Sequence, residues 1–320
     1  MIVLISHTED AHAVEVLGRL QQSGADVVLF DSCRFPRDIS LTVSQPTPEQ
    51  WRAAMVLDGR RRDLSEARVV WWRRPLPFKL HDEVADNEDR TFAYGECHAA
   101  LAGLWSCLDA VWINDPDRDL IAARKLFQLK VAAQLGMQTP RTCVTTDPEE
   151  ATRFIAAEGA RGTIYKSFSA TEKAWRETRL LRPDEHAQLA NVRFAPVIFQ
   201  EYIAAVVDLR ITVVGADIFA AEIHSQQTDY PYDFRMTMEA AEIRPHRLPE
   251  SVEAQLRALM ASFGLLYGAI DMRLTPDGDY VFLEINPAGQ WLFIELRTSQ
   301  PITEALCELM LNRDRVRQAA

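Results

Sequence analysis

Apolar and polar positions fall into short blocks over the first third of the chain. Residues 2–5 and 27–30 are apolar runs with the texture of buried strands, and Ala11–Gln22 between them spaces its apolar residues as an amphipathic helix does. A strand, a helix and a second strand in that order predict a βαβ unit with a parallel sheet. Val69–Trp72 predicts a further strand that ends in Arg73, Arg74 and Pro75. A long helix is expected over residues 86–108 and another strand at Val111–Ile113. Asp115 and Pro116 then break the pattern, and a helix over residues 118–135 is expected to stop at Gly136. From Thr142 the texture turns β-rich. Residues 142–144, Thr163–Lys166 and 197–200 predict strands, Pro148–Glu158 predicts a helix, and Gly215-Ala216-Asp217 predicts a hairpin turn. Breaks near residues 115 and 205 divide the chain into an N-terminal α/β domain (1–114), a central lobe (115–204) and a C-terminal lobe (205–320). No internal repeat or low-complexity tract interrupts this order.

Composition narrows the class. The 320 residues are enough for one large α/β unit or two to three small lobes. Apolar residues at 48% and charged residues at 25% are ordinary for a soluble enzyme. A net charge of -11 argues against a broad non-specific nucleic-acid surface, so any nucleotide chemistry has to be done with a few well-placed cations. The five cysteines are scattered without a CxxC, which fits a reducing cytoplasm. The N-terminal MIVLISHTED reads as a strand rather than a signal peptide, and no apolar run approaches the length of a membrane span.

The segment GAIDMRLTPDGDYVFLEINPAGQW carries the first candidate chemistry. Pro276-Asp277-Gly278 joins two apolar strands, a strong hairpin signal. Strict alternation puts Tyr280, Phe282, Glu284 and Asn286 on one face, and a register pairing 271 with 284 brings Asp271 to Glu284 and Asn286. Two carboxylates and an amide oxygen there suit a Mg²⁺ ion bridging phosphates. A solvated outer face with both acids paired to Arg273 is the other reading, and the hairpin alone leaves both open.

Lysines supply the second element. Lys125 opens the stretch KLFQLK, and Lys166 ends a β-run followed by Ser167, Ser169 and Ala170, an arrangement that can place an ammonium on phosphate oxygens while the loop folds over them. In VIFQEYIAAVVDLR a strand runs into an irregular linker. There the Glu201 carbonyl and Ile203 amide can read an adenine edge, and Asp208 can accept from ribose hydroxyls. Taken singly, each of these also reads as ordinary surface or edge strand.

The order lysine, lysine, backbone hinge, acid, then Asp…Glu-x-Asn on a late hairpin resembles the ATP-grasp ligases, whose two α+β lobes close on ATP and Mg²⁺. More closely, the chain resembles the ribosomal-peptide macrocyclases of the microviridin, or graspetide, type. The resemblance rests on VVWWRRP, AARKLFQLKVAAQLGMQTPRT, VIFQEYI, DLRITVVG, EIHSQQTDYPYDFR and GAIDMRL…VFLEINPAGQW, and it covers nearly the whole chain. Residues 167–182 depart from it, because a more glycine-rich phosphate loop is expected there.

The resemblance implies an ATP-grasp fold in which the N-terminal βαβ domain precedes central and C-terminal lobes. It implies that Lys125 and Lys166 hold the α- and β-phosphates, and that Gln200, Glu201, Ile203 and Asp208 line the nucleoside. It places Asp271, Glu284 and Asn286 on one or two Mg²⁺ ions, and Arg210 and Arg235 at the γ-phosphate or acyl-phosphate. The implied reaction activates a Glu or Asp side chain of a precursor peptide as an acyl-phosphate, then joins it to Ser, Thr or Lys as an ester or amide. No side-chain nucleophile is needed. A leader segment of the precursor is expected to dock apart from the reacting core, and Asp184 and Glu185 could pair a leader arginine, although a solvated acidic turn reads as well. A cytoplasmic homodimer is expected, with no nucleic-acid or membrane partner. Two rival readings remain at this stage. One is a ligase adding amino acids to a peptide or protein C-terminus. The other is a non-catalytic nucleotide-binding regulator, which would be expected to lack the metal ligands.

Overall fold

The computed structural model describes residues 1–168 and 177–319, which pack as two compact units. The first unit takes Met1–Asp119, Leu265–Tyr267 and the segment from Pro301 onward; the second takes Leu120–Gly264 and Gly268–Gln300.

In the first unit, β1 (Ile2–Ser6), α1 (Ala11–Gln22) and β2 (Val27–Asp31) form the expected βαβ start. There follow β3 (Ser40–Thr47), β4 (Gln50–Leu57), β5 (Arg60–Asp63), β6 (Val69–Trp72), α2 (Asn87–Cys107) and β7 (Val111–Ile113). The main sheet runs β2-β1-β6-β7 with every pair parallel. Burial explains its near-continuous apolar strands, since all five residues of β1 are buried. Phe30 packs edge-on against Trp105 at 5.4 Å beneath α2. Asp10 and Asp86 cap the two helices by accepting backbone N–H bonds from the first turn. The antiparallel sheet β3-β4-β5 was not anticipated, because β3 is exposed almost throughout and carries little apolar alternation. Distant chain segments join this unit through polar side chains. Asn114 accepts from the amides of Leu266 and Tyr267 at 2.8 and 3.0 Å, and Arg68 pairs with Asp314 at 2.8 Å.

Where one helix is expected over residues 118–135, two occur, α3 (Pro116–Ala122) and α4 (Lys125–Gln134). The Ala122 carbonyl accepts from the Gln128 side chain at 2.6 Å, and extended Arg124 starts the second helix. This corrects the single-helix expectation. Gly136 ends α4 at φ 74° as anticipated.

The second unit continues with β8 (Thr142–Thr145), α5 (Pro148–Glu158), β9 (Thr163–Lys166), β10 (Arg179–Leu180) and β11 (Val197–Glu201). The chain then gives β12 (Val207–Val214), β13 (Asp217–Ile223), β14 (Ile243–Pro245), α6 (Glu250–Phe263), β15 (Tyr267–Leu274) and β16 (Tyr280–Asn286). One sheet runs β10-β9-β11-β8 and the other β14-β13-β12-β15-β16. The change of sheet falls between β11 and β12, and we propose the cut near residue 205 as the divide between central and C-terminal lobes.

The β15–β16 register pairs Asp271 with Glu284 and Ala269 with Asn286, as the hairpin reading required. It then shifts, so that Met272 pairs with Phe282 and Leu283 is the extra residue of a β-bulge. Directly paired residues share a face, so Phe282 points away from Glu284 instead of alongside it. Phe282 is fully buried, while Leu283 and Glu284 both line a cleft. Strict alternation is corrected here by one inserted residue.

Candidate active site

A cleft lies within the second unit. It gathers Lys125 from the start of α4, Lys166 from the end of β9, and Gln200, Glu201 and Ile203 from β11 and its linker. Asp208, Arg235, Asp271, Glu284 and Asn286 also line it. Residues far apart in sequence thus meet where two sheets present their chemistry. Ser169 and Ala170, expected to cover phosphates, lie outside the described residues. Lys166 and the flanking Ser167 and Phe168 line the cleft.

The acids and lysines form an alternating charge set. Lys125 pairs with Glu284, although an ammonium at the first turn of a helix sits at the unfavourable end of its dipole. Burial opposes ionisation of Glu284, but Lys125 and Lys166 outweigh it and hold this carboxyl down at about 2. Burial is also the main cause that pushes the Lys166 ammonium down to about 8; Glu284 opposes the shift, and Lys125 and Arg235 add to it. Asp271 is raised, chiefly by burial, with Arg210 opposing and Glu284 reinforcing.

Arg273 does not pair with either hairpin acid, which removes the solvated-face alternative. Asp271 instead accepts from Arg210 Nη1 at 2.8 Å. The other terminal nitrogen of Arg210 holds the Gln290 carbonyl at 2.9 Å. Arg210 is buried and reaches the cleft through Asp271, which lines it. Gly289 makes that packing feasible. A Cβ there would lie 2.2 Å from the Ala269 Cβ and 2.9 Å from Arg210 Nη2.

Arg235 lines the cleft as expected, gripped by Asp233 through two bonds of 2.7 and 2.6 Å. Asp233 is buried and also takes the Thr178 amide at 3.1 Å. Sequence reasoning singled out Arg235 in this loop but not Asp233, because nothing in the local spacing shows that the acid grips the arginine two residues on. Asp208 lines the cleft, but its oxygens already accept from Arg273 at 2.8 Å and from Ser225. Gln200 is buried and donates to Thr142 at 2.8 Å, and Glu201 is clamped by Arg141.

Asp184 and Glu185 sit elsewhere, at the start of a 3₁₀ segment. Glu185 is engaged by the Tyr165 hydroxyl at 3.0 Å and the Arg182 amide at 2.9 Å, whereas the Asp184 side chain is 73% exposed. The two acids therefore separate into a structural and an available one.

Asp271, Glu284 and Asn286 offer hard oxygen donors, and the Asn286 amide oxygen accepts the Ala288 N–H at 3.0 Å. No group of three or more His, Cys, Asp or Glu among the described residues could hold a metal by itself. Two acids and an amide fit an ion that keeps waters and takes its remaining ligands from phosphate, the habit of Mg²⁺.

Comparison with known proteins decides the family. Residues 1–119 match the MvdD pre-ATP grasp domain. Macrocyclase MdnC from Microcystis aeruginosa MRC, solved with precursor peptide MdnA, is 33% identical at a TM-score of 0.86, over 98% of this chain and 100% of that one. The chain belongs to the ATP-grasp macrocyclases. A RiPP-associated ATP-grasp ligase from Chryseobacterium gregarium, solved with ADP and a leader and core peptide, is 28% identical at a TM-score of 0.88, covering 98% and 96% of the two chains. Macrocyclase MdnB from Microcystis aeruginosa MRC is 27% identical at 0.80, covering 97% and 98%. No curated protein matches the chain. This macrocyclase has no helix among its described residues long and apolar enough to cross a membrane.

Proposed function

We propose that this macrocyclase uses ATP to close rings in a ribosomal precursor peptide. The γ-phosphoryl group passes to a Glu or Asp side chain of the peptide, giving an acyl-phosphate and ADP. A Ser, Thr or Lys side chain of the same peptide attacks the activated carbonyl, loses its proton and displaces phosphate. The observation that carries this reading is the meeting of two lysines, two facing acids and a backbone hinge in one cleft. Catalysis in this reading is positioning plus charge stabilisation.

Lys125 and Lys166 would hold the α- and β-phosphates, and the Glu201 carbonyl and Ile203 amide would read adenine, with Gln200 and Asp208 lining the nucleoside. Asp271, Glu284 and Asn286 would hold Mg²⁺, which neutralises phosphate charge when bound. Lys125, which pairs with Glu284 at the cleft, would also face the phosphates. Arg235 would meet the transferred phosphoryl group, and Arg210 would fix the carboxylate of Asp271. The precursor would dock through a leader with Asp184 as its acidic contact, in a cytoplasmic homodimer.

Intact-mass analysis of a precursor incubated with enzyme, ATP and Mg²⁺ tests the reading. Loss of one water per ring is expected. A gain of amino-acid residue mass would replace it with C-terminal ligation, and an unchanged mass without ADP release would overturn it.

A further inference from the structure

Arg273 spends its whole guanidinium inside the second unit. Its side chain is only 6% exposed, and its three donor directions reach three separate elements. Nε bonds Asp208 on β12 at 2.8 Å, one terminal nitrogen bonds the Ile203 carbonyl at 2.7 Å, and the other bonds the Pro231 carbonyl at 2.7 Å. The guanidinium also lies 5.5 Å from the centre of the Tyr202 ring. A planar fork with fixed donor directions sets the relative positions of its acceptors in a way that a single ammonium does not. The same side chain springs from β15, two residues beyond Asp271.

The consequence falls on one peptide group. Just before Ile203, the Tyr202 amide is held by the Gly162 carbonyl at 3.0 Å; just after, the Ile203 carbonyl is held by Arg273. The Ile203 amide is therefore fixed between two anchors, beside the cleft that both residues line. Adenine presents an amino donor and a ring-nitrogen acceptor on its pairing edge, and guanine presents the reverse. A fixed carbonyl and amide accept the first pattern and leave both groups unpaired against the second, which is the strongest kind of discrimination a polar site offers.

We propose that Arg273 is a positioning residue that sets the purine selectivity of the nucleotide site by fixing the Ile203 peptide. The proposal rests on the reading of residues 201–203 as the nucleoside hinge. Arg273→Lys keeps the charge facing Asp208 but cannot serve three acceptors in one plane.

The test is calorimetric binding of ATP and of GTP, each with Mg²⁺, to the full chain. Wild type is expected to prefer ATP. In Arg273→Lys the ATP-to-GTP affinity ratio should fall by about tenfold, the size of one or two lost hydrogen bonds, mostly through weaker ATP binding. Simple destabilisation would weaken both nucleotides in parallel. Should that variant fail to fold, Ser225→Ala removes one donor to Asp208, leaves Arg273 intact, and is expected to lower the ratio by a smaller factor. An unchanged ratio in the folded variant, or a wild type indifferent to the base, overturns the proposal. A wild type that binds neither nucleotide fails the functional reading itself.

Discussion

Lys166 ties the electrostatics of the cleft to a measurable pH dependence. Its folded-state pKa is lowered to about 8, with burial the leading cause. The protonated form is the one that attracts a triphosphate, so kcat/KM for ATP should fall towards tenfold per pH unit above about 8. Stability runs the other way. A lysine whose folded pKa is depressed penalises the fold at pH below 8, and that penalty is relieved between about 8 and the ordinary 10.5. Lys166→Arg, charged throughout, should flatten the kinetic decline, and a wild-type profile level to pH 10 would remove Lys166 from the phosphate site. At this scale the sequence was legible wherever a residue broke a pattern. Asp271, Glu284 and Asn286 interrupt apolar strands, and Lys166 ends one. Arg273, Asp233 and Arg210 were harder, because their meaning depends on which strand or loop lies beside them. Asp271 neighbours Arg210 only through the adjacency of β12 and β15, a pairing absent from local spacing.

Elements with strong local signals formed as read, whereas their breaks and bulges depended on distant partners. No Pro or Gly separates α3 from α4. The interruption is made by Gln128, whose buried amide donates to the carbonyls of Ala122 and Ile285 at 2.6 and 2.8 Å and accepts the Ile285 amide at 3.1 Å. Gln128 thus occupies both backbone groups of one residue on the edge strand β16, as a neighbouring strand would. That bond fixes α4 against β16 next to Glu284, one turn from Lys125, and so holds the Lys125–Glu284 pair in place. Gln128→Met keeps the volume but strands buried backbone groups, each worth roughly 1–3 kcal/mol. The expected outcome is a melting temperature lower by several degrees and weaker ATP binding, with Glu284 itself intact. A variant melting like wild type would show that water or a backbone shift satisfies Ile285.

The whole molecule gathers its first unit from three stretches of chain, of which only the first was visible as a domain in sequence. Asn114 and Asp314 carry the joins, and single polar residues give no sequence signal for a partner about 150 to 250 positions away. An acidic enzyme of net charge -11 faces one further requirement in the proposed function, which is to capture a peptide without competing for its triphosphate. Asp184 suits this because it is not among the residues lining the cleft, its side chain is highly exposed, and its ion pair to Arg182 is long, at 3.6 Å. Asp184→Lys should therefore raise KM for the precursor while leaving KM for ATP unchanged, since a contact remote from the reacting atoms acts through substrate binding. The contact is exposed, so the effect should be no more than about fivefold at low ionic strength and should fade as salt screens it. Glu185→Lys serves as the contrast. It breaks the bonds to Tyr165 and Arg182, so it should lower thermal stability, which Asp184→Lys should not. Equal precursor KM values for wild type and Asp184→Lys at low salt would place the leader on another surface.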